Sequence, residues 1–328
     1  GRGILKILMI GSIIAEIVGS IGLGIWLLLF HTEQPLSSIN SGLDTVVGSG
    51  FTNSAFLIAM AFVGWAFVGF ESAGSIAEEV KDPQRTLPKV ILFSLTFVAA
   101  VVAFAALTVI LAIPDPAAVL SGEVADPVFS TLVYALGEGP AKLAQILFAI
   151  GFLASFLALQ TSASRVIWSY ARDKALPAEK TLSALRGKAG IPANAVLVAS
   201  LVGAIMIGAS QLAPNFYALM VNFTTGGFYI SFLFPVAGFV IVLFRNKWKA
   251  GPFTLGAKMR VVSIFALIWT VFQFLNISWP RPVYADMPIL DWSVAIGIAG
   301  LTIVGGLIYA NVNKRMTMVD VAALNINS

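Results

Sequence analysis

The sequence predicts an all-α polytopic membrane protein with eight transmembrane helices, and three observations predict it. Of the 328 residues, 58% are hydrophobic and only 11% charged, whereas a soluble domain runs about half apolar and a quarter charged. Mean hydropathy is +0.92. Apolar segments of the roughly 20 residues that cross about 30 Å of hydrocarbon recur at 4–30, 54–78, 88–113, 141–171, 192–212, 215–244, 260–279 and 291–312. With these spans, 18 of the 20 lysines and arginines fall on the side of the two termini, and only Lys142 and Arg281 lie opposite. Cytoplasmic loops carry the excess of basic residues, so both termini are expected in the cytoplasm of a cell (plasma or inner) membrane. One span more or fewer would scramble that asymmetry.

The same composition excludes several classes. A pI near 9.3 in a soluble chain would suggest nucleic acid, but here the basic residues sit in loops and read as membrane topology. Cysteine is absent, so thiolate chemistry and disulfides are excluded. There is no HExxH, no phosphate-binding loop and no GxGxxG that opens a helix after a strand, and the one histidine is His31. No cofactor, no metal site and no enzyme activity are expected. The partners are membrane lipid and a small solute.

The first span carries Glu16, about 18 Å from its start at 1.5 Å per residue, with Gly11, Gly19, Gly22 and Gly24 around it. A carboxylate at that depth costs about 2.5–3.5 kcal/mol on insertion scales. It is either a protonated acid hydrogen-bonded to a neighbouring helix or a proton-coupling group. The second span leads into WAFVGFESAGSIAEEVKDPQRTLP (65–88), where Glu71 lies among Gly64, Gly69 and Gly74. Each glycine weakens a helix by roughly 1 kcal/mol relative to alanine. Small residues also mark helix contacts, but the added carboxylate favours a helix broken near Trp65–Phe70. Unwound backbone is tolerated at that depth only where it lines a cavity, and transporters place binding sites at such breaks. Pro83 and Pro88 are expected to end this helix and anchor the third span from 88.

A short amphipathic piece near 128–136 is expected in an outer loop. The fourth span bears a polar patch, Gln160, Thr161, Ser162 and Ser164, above Arg165, whose charge snorkels to the interface. The sixth span would be about 45 Å long as a straight helix, carries Asn222, Thr224, Thr225 and Gly226–Gly227, and contains Pro235, a sufficient cause for a kink.

GFESAGSIAEEVKDPQRTLPK (69–89), with ARDKALP (171–177) and IPANA (191–195), resembles the sixth helix and loop, and the eighth-to-ninth helix junction, of the amino acid–polyamine–organocation (APC) superfamily of permeases. The resemblance covers the whole chain, as family helices five to twelve. It implies a LeuT-like fold of two inverted five-helix repeats lacking its first four helices. Residues 4–30 would be helix five, 54–244 the second repeat and 260–312 two C-terminal helices, all in one transmembrane domain. The chain would then be about two thirds of a permease, either truncated or completed by another polypeptide that supplies helices one to four.

The function that the resemblance implies is secondary active transport of amino acids or small amines by proton symport or exchange. A sodium-coupled LeuT-like carrier and a non-transporting membrane subunit are the alternatives. The likeness implies that Trp65 stacks over substrate and that carbonyls at Trp65 and Val68 receive its ammonium group. Ala66, Phe70, Phe156 and Asn222 are further substrate-binding candidates. Glu71 and Glu16 are the candidates for proton coupling, and Thr161 and Ser162 for a cation in sodium-coupled relatives.

Overall fold

The computed structural model describes residues 2–40, 54–75, 77, 80–187, 190–210, 216–281 and 288–313. Thirteen α-helices, joined by short 3-10 and π turns, make up the described residues, and no strand is found among them beyond an isolated bridge between Arg186 and Ile191. Among the described residues, seven helices are long and apolar enough to cross a membrane. The fifth predicted span is α10, Ala193–Ser210. Its 18 residues extend about 27 Å at 1.5 Å per residue, and the predicted end at 212 lies outside the described residues.

The chain forms two compact units. The first comprises 1–45 and 89–159. Here α1 (Arg2–Ile17) passes through a π-helical turn at Val18–Gly22 into α2 (Leu23–Phe30). Helix α5 (Pro83–Ala112) enters this unit at Lys89, and α6 (Pro116–Leu120) and α7 (Pro127–Leu136) follow. Asp115 and Asp126 cap α6 and α7, each accepting backbone N–H bonds ahead of a proline at the first helical position. The α7 helix is the predicted short piece, nearly residue for residue. Helix α8 (Glu138–Arg172) begins just after Gly137, whose φ of +83° only glycine adopts readily. The core of this unit is Leu27, Ala112, Leu132 and Ala141. Gly24 lets α2 lie directly on α5: a Cβ there would fall 2.6 Å from the Phe104 ring.

The second unit comprises 46–88 and 160–328. It holds α3 (Ala55–Val63), the short α4 (Ser72–Ser75), α9 (Glu179–Leu182), α10, α11 (Phe216–Phe244), α12 (Met259–Ser278) and α13 (Ser293–Val312). Ala61, Ile277, Val294 and Ile298 form its core, with Tyr229, Ile230 and Phe274 packed around them. Gly226 in α11 faces Val294 of α13, and Gly297 of α13 faces the ring of Phe223. Small residues at these points let apolar helices approach closely.

One sequence expectation changes. Pro88 does not begin the third span, because α5 starts at Pro83 and carries Pro88 inside its second turn. Pro83 fits the first helical position, where an N–H has no partner anyway. Pro88 has no N–H to offer the Gln84 carbonyl, and Gln84 lies at an exposed turn. The sixth span continues through Pro235, which lies inside α11.

The connection between α8 and α10 shows what the ARDKALP and IPANA residues do. Trp168 Nε1 donates to the Ser183 carbonyl at 3.0 Å, and Asn194 Nδ2 donates to the Thr181 carbonyl at 2.7 Å. Arg186 donates to Asn194 Oδ1 at 3.1 Å. Lys174 and Ala178 take φ of +59° and +54° in this turn. The conformation is costly for side chains other than glycine and is held here by the surrounding bonds. Most large apolar side chains on the long helices are exposed, for example Phe93 and Phe152 at 72% and 75%. Such a surface suits lipid and would aggregate in water.

Candidate functional site: the helix break at Val68–Gly69

Helix α3 starts at Ser54, whose hydroxyl accepts the Leu57 N–H. It runs through nine apolar or small residues and tightens into a 3-10 turn at Gly64–Phe67. The helix then stops. Val68 is extended, with φ −63° and ψ +132°, and Gly69 has φ +107°. Helical geometry resumes only at Ser72. The interruption falls where the sequence places it.

The glycines do different work from one another. Only Gly69 takes a backbone conformation that requires glycine. Gly64 is helical, and a Cβ there would sit 3.0 Å from the Thr225 methyl and 3.5 Å from the Tyr229 ring. It serves close packing of the 3-10 turn on α11. Gly74 has open space around its Cβ direction. Gly64 is thus a contact residue and not part of the break.

Glu71 answers the break directly. The Gly69 N–H has left the i−4 ladder, and the Glu71 carboxylate accepts it at 3.1 Å. A carboxylate that accepts a backbone N–H makes a charge-assisted bond, about twice as strong as a neutral one. Glu71 is half-buried. The Trp65 carbonyl accepts the Val68 N–H at 3.2 Å, which leaves its second lone pair for another donor.

The structure distributes the predicted site residues as follows. Trp65, Ala66, Val68, Phe70 and Glu71 lie together on the broken segment, with Trp65 and Phe70 exposed at 38% and 36%. Phe70 stacks on Phe232 of α11, ring centroids 5.4 Å apart. Asn222 is half-buried on α11, one turn before Thr225, the residue that faces Gly64. Thr161 and Ser162 lie on the part of α8 in the second unit. Their neighbour Gln160 is tied to α10, donating to the Val196 carbonyl at 3.0 Å and to Ser200 Oγ at 2.8 Å. Phe156 and Glu16 belong to the first unit.

Glu16 lies one turn after the buried Ser12 in α1. Its carboxylate packs on the bare Cα of Gly151 in α8, where a Cβ would come within 2.6 Å of Oε1. The π-helical turn begins two residues later, at Val18. Such turns insert one extra residue into a helix and recur at functional sites. This turn and the Gly151 slot were not foreseen. The sequence signal for the slot was a glycine between Ile150 and Phe152 in α8.

Two polar residues behind the broken helix were also missed. Gln273 and Asn276 on α12 are buried at 2% and 6% exposure. Their signal was polar residues at i, i+3 spacing in an apolar span.

Comparison with known proteins shows the family. The family model described as amino acid permease matches residues 3–308. The branched-chain amino acid permease BcaP of Lactococcus lactis is 31% identical over 305 residues, covering 90% of this chain and 59% of the relative. An uncharacterized amino-acid permease of Schizosaccharomyces pombe is 30% identical over 257 residues, covering 76% and 46%. A choline transporter of Saccharomyces cerevisiae is 28% identical over 242 residues, covering 71% and 41%. The chain spans about half the length of the curated relatives it matches. It is a multi-pass membrane protein, and it belongs to the amino acid permease family.

Proposed function

We propose that the polypeptide carrying these residues is a secondary active transporter of amino acids or small amines, driven by proton symport or exchange. The observation that carries the reading is the break at Val68–Gly69, with Glu71 bonded to its freed N–H, in a chain of the amino acid permease family. Carbonyls near Trp65 and Val68 receive the substrate ammonium, and the exposed Trp65 packs over the substrate side chain. Phe70, Ala66 and Asn222 shape the remainder. The relatives named for branched-chain amino acids and for choline support a substrate class of amino acids and small amines. The LeuT-like arrangement supplies the rest of the site from family helices one to four. The skewed basic residues support cytoplasmic termini in a plasma or inner membrane.

Proton linkage is assigned to Glu71 and Glu16. A proton on Glu71 removes the charge from its bond to Gly69 N–H and so weakens the hold on the break. The test is uptake of radiolabelled leucine and choline by the full-length gene product in proteoliposomes, under an imposed pH gradient or an imposed sodium gradient. The expected result is uptake driven by the pH gradient, with the pH dependence lost in Glu71→Gln or Glu16→Gln. Uptake driven by sodium alone contradicts the proton assignment and moves coupling to Thr161 and Ser162. An unchanged pH profile in both glutamine variants removes both acids from the mechanism.

A further inference from the structure

The C-terminal end of α12 carries a polar cluster outside the break and outside every residue given a role above. Thr270, Gln273 and Asn276 recur at every third position and are all buried, so they share one inward face of an otherwise apolar helix. Thr270 returns its hydroxyl to its own helix, donating to the Ala266 carbonyl at 2.7 Å. Asn276 reaches outward instead. Its Nδ2 donates to the backbone carbonyl of Leu57 in α3 at 3.0 Å and to Gln273 Oε1 at 3.3 Å.

Arg281, itself buried, holds Asn276 from the other side. One of its terminal nitrogens donates to the Asn276 backbone carbonyl at 2.6 Å and the other to Asn276 Oδ1 at 2.5 Å. A guanidinium only donates, so this two-pronged grip decides which way the amide faces. The oxygen must turn to Arg281 and the NH2 group to Leu57. The gripped backbone carbonyl lies in the last turn of α12, where carbonyls lack helical partners, and the cation meets the negative end of the helix dipole. Leu57 lies on the same helix as the break, six residues before α3 ends at Val63.

We propose that Asn276, oriented by Arg281, is a positioning residue that latches the N-terminal half of the broken helix to α12 and so fixes where the break lies. The latch rests on the reading of the break as the substrate site. Ala61 of α3 and Ile277 of α12 also belong to one buried apolar cluster. The segment beyond Gly69 is the part left to move against the latched half.

The test exploits the absence of native cysteine. Phe56→Cys and Leu275→Cys, at positions 51% and 54% exposed, place two spin labels on α3 and α12, and their separation is measured by double electron–electron resonance in the full chain in lipid nanodiscs. Asn276→Asp keeps the shape and the Arg281 contact but turns an oxygen toward the Leu57 carbonyl. Arg281→Lys keeps the charge without the two-pronged grip. Ser278→Ala is the control, because the Ser278 hydroxyl is buried with no hydrogen-bond partner. The latch predicts one narrow distance in the unsubstituted and Ser278→Ala proteins, and a broadened or shifted one, by about 2 Å or more, in the other two. If Asn276→Asp does not fold, Arg281→Lys decides. Unchanged distances in the folded variants overturn the latch.

In the full-length gene product, Asn276→Asp is expected to raise the leucine KM about fivefold with maximal rate held within about twofold. A lower maximal rate with unchanged KM contradicts a positioning role. If the unsubstituted protein takes up neither amino acids nor choline, the transport reading fails, and the spin-label distances still decide the latch.

Discussion

The carboxylate of Glu71 accepts the backbone N–H of Gly69 two residues earlier, at 3.1 Å, where the helix has come apart. A buried or half-buried peptide group that loses its helical partner must find another. Here the sequence supplies the partner locally, two residues farther along the same segment.

Gly69→Ala is expected to destabilise the protein by about 2 kcal/mol, because its φ of +107° strains any residue with a Cβ. A lowered thermal midpoint in detergent checks it. Retention of the wild-type midpoint would mean that the segment reaches the same path without a left-handed residue.

Gly64→Ala tests the other kind of glycine. Its new methyl group would press on the Thr225 methyl at 3.0 Å, a crowding cost of about 1 kcal/mol or more. Thr225→Ser removes that methyl group, so the double variant should recover most of the loss. The same Thr225→Ser change should not rescue Gly69→Ala. A double-mutant cycle with no coupling between positions 64 and 225 would refute the contact.

Much of this was legible in the residues. The long spans follow from uninterrupted apolar stretches, and the break was marked by Gly69 beside an acid inside the membrane. What the letters could not separate is a glycine needed for its backbone angle from one needed for its missing side chain, so Gly64 was read as part of the break. The π-helical turn at Val18–Gly22 was invisible because one inserted residue barely disturbs an all-apolar pattern. Pro88 was read as a helix boundary, yet an exposed early turn tolerates the lost bond. Asn276 was visible as a polar residue, but its partner Leu57 is 219 positions away, and no local pattern names it.

Gly151→Ala should perturb Glu16 specifically. The added methyl group would displace a carboxylate now 2.6 Å from that point. The expected loss is about 1 kcal/mol with Glu16 present and near zero in a Glu16→Ala background, read as thermal midpoints of the four proteins. Equal losses in both backgrounds would show that the slot does not hold Glu16.

Tyr134 offers a pH-dependent check on the first unit. Its hydroxyl donates to Glu33 at 3.2 Å, and that bond, then the Glu33 charge, holds the phenol above its ordinary 10.0. The neutral phenol is the bonded form, so the contact is complete below the ordinary value and is lost as pH rises through the elevated one. Glu33→Gln should shift one tyrosine's ultraviolet titration to lower pH. Identical titration curves would contradict the pairing.

The central claim is that the break at Val68–Gly69 holds the transported solute, and solute protection of a single thiol tests it most directly. In the full-length gene product, made free of other cysteines, Val68→Cys is modified by a methanethiosulfonate reagent with and without saturating solute, alongside Leu275→Cys as a remote control. The account predicts that at least one amino acid or choline slows modification at position 68 by about tenfold, as occupancy of a site near 90% requires, and leaves position 275 unaffected. Equal modification rates at position 68 with every amino acid and with choline would contradict it.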